Sequence, residues 1–167
     1  MTRAPRIVVM GVSAVGKSTV GAALADSLGI RFLDADDLHP RASVEKMRAG
    51  LPLTDEDRAP WLRICGEALG TAPGGAVLAC SALARRYRDA LRAVAPDAFF
   101  VYLAADRGRV LARASSRDGH FMPVSLLASQ FDALEPLERD ESGATIDAAA
   151  DAVVVVDAAL AAVHAAH

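Results

Sequence analysis

The sequence predicts a single α/β domain built on an open, doubly wound parallel sheet. Short continuous apolar runs alternate along the chain with segments of helical spacing. Such runs are typical of parallel strands that helices cover on both faces. The 167 residues suit one domain, and no linker or internal repeat divides them. Because 53% of them are hydrophobic, the chain can bury a sizeable core.

Five runs of β-branched and other apolar residues predict the strands. They cover residues 6–10, 31–34, 76–80, 99–103 and 152–156. Helical spacing predicts helices over 17–28, 60–69, 85–94, 107–116 and 124–134, a short helix around 44–47, and a last helix in the alanine-rich tail. Two polar segments, 35–57 and 117–123, fit neither element type, and we expect binding groups to concentrate there.

Composition excludes several classes of function. Lys+Arg 18 against Asp+Glu 21 gives a net charge of −3, so we expect no nucleic-acid partner. The apolar stretches are too short to cross a bilayer and the N-terminus does not resemble a signal peptide, so we expect no membrane partner. Cys65 and Cys80 lie inside apolar segments without metal-site spacing, which excludes a structural zinc site. We expect a soluble cytoplasmic protein with buried thiols.

A phosphate-binding loop follows the first strand. Its residues have the pattern GxxxxGK[ST] between a strand and a helix, which points backbone N–H groups and a helix N-terminus at phosphate oxygens. We expect Lys17 to reach the β- and γ-phosphates of ATP and Ser18 to coordinate Mg²⁺. Ala14 stands where many such loops carry glycine. The predicted nucleotide site comprises Gly11, Val12, Ser13, Ala14, Val15, Gly16, Lys17, Ser18 and Thr19.

Two carboxylates follow the second strand. Strand alternation predicts that Asp34 and Asp36 lie on the same side, facing the cleft at the carboxyl end of the sheet. Phosphoryl transfer to a hydroxyl needs one group that orients the hydroxyl and accepts its proton, and a second that holds hydrated Mg²⁺. We expect Asp36 to take the first role and Asp34 the second.

The remaining motifs narrow the class of phosphate-binding protein. A guanine-reading [NT]KxD motif is absent, because the chain's two lysines are followed by Ser18 and Met47. A mechanical ATPase needs a larger domain and an acidic residue at the end of a later strand, whereas the third strand ends at Cys80-Ser81. Small-molecule phosphotransfer fits best. An ATP-binding regulatory module without turnover remains the alternative from a different class.

Several blocks, in order along nearly the whole chain, carry a family resemblance. They are residues 11–18, 33–40 (LDADDLHP), 45–47 (EKM), 52–62, 80–83 (CSAL), 87–89 (YRD), 119–123 (GHFMP), 129–131 (SQF) and 134–138 (LEPLE). Together they resemble the gluconate kinase (gluconokinase) family. A shikimate kinase, which shares the loop and the paired aspartates, is the alternative within the same class.

The resemblance implies ATP-dependent phosphorylation of D-gluconate at the 6-hydroxyl, giving 6-phospho-D-gluconate and ADP. It also implies a three-layer P-loop kinase fold of the nucleoside-monophosphate-kinase type, with a five-stranded parallel sheet in the order 2-3-1-4-5. We expect a substrate-binding insertion at about 37–72, a lid at about 113–125, and a homodimer. In the family a lysine often follows Ser81-Ala82-Leu83, whereas this chain has Ala84, so Arg85 or Arg86 would have to replace a lysine that binds substrate.

The residues also predict how the acceptor is held. Arg58 and Arg88 can grip its carboxylate in a bidentate manner, His39 can bind a hydroxyl, and Trp61 is either core or cavity wall. The chain has only two lysines, which makes Lys46 a candidate substrate ligand. Arg113 and Arg117 are four residues apart and can reach the transferred phosphate from the lid. The resemblance adds Ser81, His120 and Gln130.

Overall fold

A computed structural model of the chain describes residues 3–116 and 124–167; for Ser115 and Ser116 it describes the backbone only. Five parallel strands form one sheet in the order β2-β3-β1-β4-β5, as the resemblance implied. The strands are β1 Arg6–Met10, β2 Arg31–Asp34, β3 Ala76–Ala79, β4 Phe99–Ala104 and β5 Gly143–Asp147. The helices are α1 Lys17–Leu28, α2 Arg41–Arg48, α3 Asp55–Thr71, α4 Arg85–Val94, α5 Arg107–Ser116, α6 Val124–Ala133 and α7 Ala152–Ala166, and a 3₁₀ turn spans Ala35–Leu38.

The burial of the central strand β1 shows that the sheet is covered on both faces. It pairs in parallel with β3 and with β4, and Ile7, Val8, Val9 and Met10 are all fully buried. Ile7 and Val9 belong to the apolar cluster on one face, whereas Val8 and Met10 belong to the cluster on the other. The continuous apolar run that predicted this strand is therefore the signature of a strand between two layers.

The helix ends follow local signals in the sequence. Gly29 ends α1 in a left-handed conformation (φ +66°), as its position after Leu28 predicted. Helix α3 begins earlier than residue 60: Thr54 caps it, and a reciprocal pair of hydrogen bonds links the Thr54 and Asp57 side chains to each other's backbone N–H groups. Pro60 thus lies inside α3, one turn beyond its first residues.

The prediction of a fifth strand at 152–156 is wrong. These residues open α7, and β5 is instead Gly143–Asp147, at the edge of the sheet beside β4. Within α7 the buried residues Val155, Ala159 and Val163 recur every four positions and join the core that α1 also packs against. The helix leaves Val153 71% exposed, which a strand covered on both faces would not do.

Two further expectations concern the thiols and the membrane. Cys65 and Cys80 are buried and form no disulfide, as predicted; burial raises the pKa of the Cys80 thiol to about 12. Across the described ranges, no helix combines the length and the apolar character that a membrane span requires.

Candidate active site

The phosphate-binding loop joins β1 to α1 through three residues with positive φ. Gly11 (φ +151°) leaves no room for a side chain, because a Cβ there would lie 3.0 Å from the Leu103 carbonyl oxygen. Gly16 (φ +101°) precedes α1 without a side-chain cap, so the first N–H groups of the helix remain available to an anion. Ala14 adopts φ +66°, a conformation that favours glycine.

Lys17, the first residue of α1, folds back over this loop. Its Nζ donates a hydrogen bond to the Val12 carbonyl oxygen at 2.9 Å. Burial lowers the pKa of the Lys17 ammonium, and the charge of Asp36, followed by those of Cys80 and Asp34, acts in the opposite direction. The Lys17 ammonium is thus held against the phosphate-binding loop, within the electrostatic influence of the aspartates at the end of β2.

Asp34 connects that acidic end to α1. The Ser18 hydroxyl donates to one Asp34 carboxylate oxygen at 2.9 Å, and the other accepts from the Asp36 backbone N–H at 3.0 Å. The hydroxyl and the carboxylate are the hard oxygen donors that Mg²⁺ prefers, so this pair fits the predicted metal site. Strand alternation does not place the two aspartates, however: β2 ends at Asp34, which caps the 3₁₀ turn that carries the exposed Asp36.

One cavity, of about 420 Å³, lies beside the helix end of the loop; we call it the nucleotide cavity. Gly16 and Thr19 line one wall, and Arg109 and Arg113 of α5 line another. The segment 148–152, between β5 and α7, completes it. Sequence reasoning did not find this cavity, because it placed the fifth strand at the start of α7 and so did not identify the turn that follows β5.

A second cavity, also of about 420 Å³, lies beside the first residues of the loop; we call it the acceptor cavity. It is formed by α3, α4, α6 and the turn after β3. Its polar lining residues are Thr54, Asp55, Arg58, Ser81, Arg86, Tyr87, Ser129 and Gln130. Of the predicted acceptor ligands, Arg58, Ser81 and Gln130 are therefore brought together here.

Two of these residues connect the acceptor cavity to the phosphate-binding loop. The Gln130 side-chain oxygen accepts a hydrogen bond from the Ser13 backbone N–H at 2.7 Å. The Ser81 carbonyl oxygen accepts one from the Gly11 N–H at 3.3 Å. A molecule bound in the acceptor cavity would therefore lie next to the loop that binds phosphate.

The charged groups of the acceptor cavity form one connected cluster. The Arg86 guanidinium donates to both Asp55 carboxylate oxygens, at 2.8 and 3.2 Å. The Tyr87 hydroxyl donates to Asp55 at 2.7 Å and accepts from Arg58 at 3.1 Å. Hydrogen bonds from Arg86 and then from Tyr87 lower the pKa of the Asp55 carboxyl to about 2. The sequence did not identify Asp55 or Tyr87 as site residues. It offered Arg85 or Arg86 as the replacement for the family's lysine, and of the two only Arg86 lines the cavity. Arg85 pairs with Glu138 and Asp140 outside it.

His39 lies next to the acceptor cavity and stacks on Trp61. The two ring centroids are 4.2 Å apart with an interplanar angle of 11°. Burial lowers the pKa of His39, with the charge of Asp36 opposing this effect and that of Arg58 adding to it. Trp61 is both core and wall: it is 6% exposed, donates from Nε1 to the Ala35 carbonyl oxygen at 2.7 Å, and lines the cavity.

The structure does not bring Lys46 into the lining of either cavity. Its Nζ donates to the Asp57 carboxylate at 2.6 Å, and Asp57 also caps the start of α3. Hydrogen bonds from Lys46 and then from the Thr54 backbone lower the pKa of Asp57 to about 2. Lys46 therefore ties α2 to the helix that carries Arg58.

The prediction that Arg88 grips the acceptor carboxylate is corrected by its burial. Its side chain has no exposed surface and makes a bidentate pair with the equally buried Glu141, at 2.7 and 2.9 Å. It also donates to the carbonyl oxygens of Ala82 and Leu83. Arg88 is not among the residues that line the acceptor cavity, whereas the neighbouring Arg86 and Tyr87 are, so the structure places it in a buried ion pair. Arg117, His120 and most of the predicted lid lie outside the described residues.

Comparison with known proteins decides the family. A family model described as shikimate kinase matches residues 13–163. A gluconokinase from Gluconobacter oxydans is 51% identical over 138 residues, which cover 81% of this chain and 78% of that protein. The thermosensitive gluconokinase of Escherichia coli is 45% identical over 137 residues, covering 80% and 73%. This chain belongs to the gluconokinase family.

Solved structures agree with membership of the gluconokinase family. A gluconokinase from Sinorhizobium meliloti has a TM-score of 0.88 and 43% identity, and the match covers 98% of this chain and 93% of that one. A shikimate kinase from Aquifex aeolicus has a TM-score of 0.62 at 19% identity, so the two share a fold. The predicted P-loop kinase fold and the resemblance to gluconate kinases are both confirmed, and the chain is a kinase.

Proposed function

We propose that this protein is a gluconokinase, which transfers the γ-phosphoryl group of ATP to the 6-hydroxyl of D-gluconate and releases 6-phospho-D-gluconate and ADP. The observation that carries the proposal is the arginine-lined acceptor cavity directly beside a phosphate-binding loop. Arg58 and Arg86 give this cavity cations suited to a sugar acid, and Ser81 and Gln130 give it hydrogen-bonding groups suited to hydroxyls. The curated relatives, named as gluconokinases, support the same acceptor.

ATP would bind across the loop and the nucleotide cavity. The backbone N–H groups of residues 11–19 would surround the phosphates. Lys17 would exchange its hydrogen bond to the Val12 carbonyl for contacts with the β- and γ-phosphate oxygens. The adenine ring would enter the nucleotide cavity. Ser18 and Asp34 would hold Mg²⁺, which when bound neutralises phosphate charge. Arg113 lines the same cavity, and we propose that it and Arg117 stabilise the charge that develops on the transferred group.

The chemical step needs one base and one acceptor oxygen. The 6-hydroxyl oxygen of the acceptor forms a bond to the γ-phosphorus while the bond from that phosphorus to the β–γ bridging oxygen breaks. Asp36 orients the hydroxyl and accepts its proton, and ADP leaves. The position of Asp36 on an exposed turn that faces Lys17 supports this role, since the base must stand beside the phosphates without being buried from the acceptor.

The acceptor would be held by side chains of α3, α4 and α6, which line the acceptor cavity, and by His39 beside it. Arg58 would contact its carboxylate, and His39 would make one hydrogen bond to a hydroxyl through Nε2. Lys46 supports α3 through Asp57, and His120 remains a predicted ligand from the lid. Thr54, Asp55, Arg58 and Trp61 all fall within the proposed substrate-binding insertion at about 37–72, which supports that boundary.

Cellular setting and assembly belong to the same proposal. We propose that the enzyme uses Mg²⁺, acts in the cytoplasm and forms a homodimer, with 113–125 as its lid. Free buried thiols at Cys65 and Cys80 support a reducing compartment.

An assay of acceptor-dependent ADP release tests the function. The purified protein is supplied with Mg·ATP and, one at a time, D-gluconate, shikimate and a panel of other sugar acids. We expect ADP production with D-gluconate, together with a product phosphorylated at the 6-position. Turnover on shikimate but not gluconate would replace the proposed acceptor, and ATP binding without acceptor-dependent ADP would favour the regulatory module.

A further inference from the structure

The cation site of the acceptor cavity already holds a carboxylate from the chain itself. Asp55 accepts two hydrogen bonds from the Arg86 guanidinium and a third from the Tyr87 hydroxyl. A guanidinium nitrogen of Arg58 lies 3.8 Å from Oδ1 of the same carboxylate. All four residues line the acceptor cavity. A bidentate pair with an arginine is the arrangement that an acceptor carboxylate would itself seek.

This carboxylate is placed where it can be displaced. The Asp55 and Arg86 side chains are 56% and 59% exposed, and ion pairs at that exposure contribute little to stability. Asp55 is also the first residue of α3, so after release its charge would remain beside a helix N-terminus and in water, both of which stabilise it. By contrast, the Glu141 carboxylate that pairs with Arg88 of α4 is fully buried and could not be released into water.

We propose that Asp55 is a built-in competitor of the acceptor, which occupies the Arg86 guanidinium until the carboxylate of the acceptor takes its place. This inference rests on the proposed function, because it assumes that the acceptor is a sugar acid. The charged side chains at this end of the cavity are Asp55, Arg58 and Arg86. Their sum is one positive charge while Asp55 stays, and two when it leaves, so a carboxylate can replace Asp55 at little cost.

The exchange predicts that charged and neutral acceptors respond differently to Asp55. A polyol without a carboxylate can offer Arg86 only neutral oxygens, which make weaker hydrogen bonds to a guanidinium than a carboxylate does. It would therefore bind beside the intact Asp55–Arg86 pair. Removing the charge of Asp55 should strengthen the binding of a sugar acid and leave the binding of a neutral polyol unchanged.

Titration calorimetry with a non-hydrolysable ATP analogue present tests the exchange. The variant Asp55→Asn keeps the size and one acceptor oxygen but removes the competing charge. We expect its Kd for D-gluconate to fall about three- to tenfold, and its Kd for D-glucitol, which has an alcohol in place of the carboxylate, to stay within twofold. Asp140→Asn is the matched control, since Asp140 pairs with Arg85, which lies next to Arg86 on α4 but outside the cavity. The Kd of this control variant for gluconate should equal that of the wild type.

A double variant distinguishes exchange from a merely structural effect. In an Arg86→Gln background the competition has no site, so adding Asp55→Asn should change the Kd for gluconate by less than twofold. An Asp55→Asn protein with unchanged or weaker gluconate binding would overturn the proposal, as would an equal effect in both backgrounds. Gluconate that binds without being phosphorylated would contradict the proposed function and still test the exchange, whereas a wild-type protein that binds no gluconate would contradict both.

Discussion

Asp36 illustrates how a single residue acquires a role from its neighbours. It lies on a 3₁₀ turn that Asp34 caps, and its charge opposes the effect of burial on the pKa of Lys17. Asp34 is already engaged by Ser18, whereas Asp36 is exposed. Of the two carboxylates, Asp36 is therefore the one that we propose as the base for an incoming hydroxyl.

The variant Asp36→Asn should lose turnover and keep nucleotide binding. A general base contributes about 10²- to 10⁴-fold to the rate, so we expect kcat with gluconate to fall by that factor, with the Kd for ATP changed less than about threefold. Asp37→Asn, next to it on the same turn and also exposed, is the control and should keep its kcat. A kcat for Asp36→Asn within tenfold of the wild type would remove Asp36 from the role of base.

Ala14 carries backbone strain inside the phosphate-binding loop. An L-residue in the left-handed region costs about 1–2 kcal/mol, and glycine avoids this cost but loses about 0.5–1 kcal/mol of chain entropy. Ala14→Gly should therefore raise the free energy of unfolding by about 0.5–1 kcal/mol, measured by urea denaturation. Ala22→Gly, at an exposed position of α1, should instead lower it by about 1 kcal/mol. Loss of stability in both variants would show that Ala14 is not strained.

The Gln130 side chain links helix α6 to the phosphate-binding loop. It accepts a hydrogen bond from the Ser13 N–H, and a hydrogen bond of this kind contributes about 0.5–1.5 kcal/mol. Gln130→Met keeps the length of the side chain and removes the acceptor oxygen, so we expect the KM for ATP to rise about 2- to 12-fold. Asp132→Asn, whose partner Arg107 lies on the surface of the neighbouring α5, should leave that KM unchanged. An unaltered KM in both would mean that the loop holds its shape without α6.

Helix α4 is fixed to the segment before β5 by a buried ion pair. Burial opposes ionisation of Glu141, but hydrogen bonds from Arg88, from the Glu138 N–H and from Arg92 outweigh it and hold its pKa well below the usual range. A carboxyl with a lowered pKa stabilises the fold above its unfolded value of 4.5 and loses this contribution as the pH falls.

Glu141→Gln should therefore destabilise the protein most at neutral pH. Leaving Arg88 without its partner should cost about 3–5 kcal/mol at pH 7, and the unfolding curves of variant and wild type should converge as the pH falls below 4.5 toward 2. Urea denaturation across this range measures the difference. The exposed pair of Arg85 and Asp140 is the comparison, since Asp140→Asn should cost no more than about 1 kcal/mol. A constant difference at every pH would contradict this account.

The fifth strand shows what an apolar run alone does not reveal. The valines at 153–156 have the composition of a strand, yet the residues after them favour a helix that buries one position in four. The true β5 lies at the sheet edge, where alternate residues stay exposed, so it lacks the continuous run that marked the inner strands. A stretch that is only four valines long has no period by which helix and strand can be told apart.

Across the whole molecule, predictability followed the range of the interaction. The loop from Gly11 to Ser18 and the helix after it depend on adjacent residues, and the sequence predicts both. The acceptor cavity depends on α3, α4 and α6, which are distant in the chain. Spacing therefore could not tell that Arg86 would face the cavity while Arg88, half a turn away, would be buried against Glu141. Only packing separates these two arginines.

The two cavities lie beside different ends of one loop, and this arrangement has a kinetic consequence. Residues at the start of the loop contact the walls of the acceptor cavity, and those at its end line the nucleotide cavity. Both reactants can thus be present together, with the phosphoryl group passing directly between them and no phosphorylated protein in between. Double-reciprocal plots of initial rate should intersect when both concentrations are varied. Parallel lines would instead require a covalent intermediate, and so a nucleophilic side chain between the two cavities.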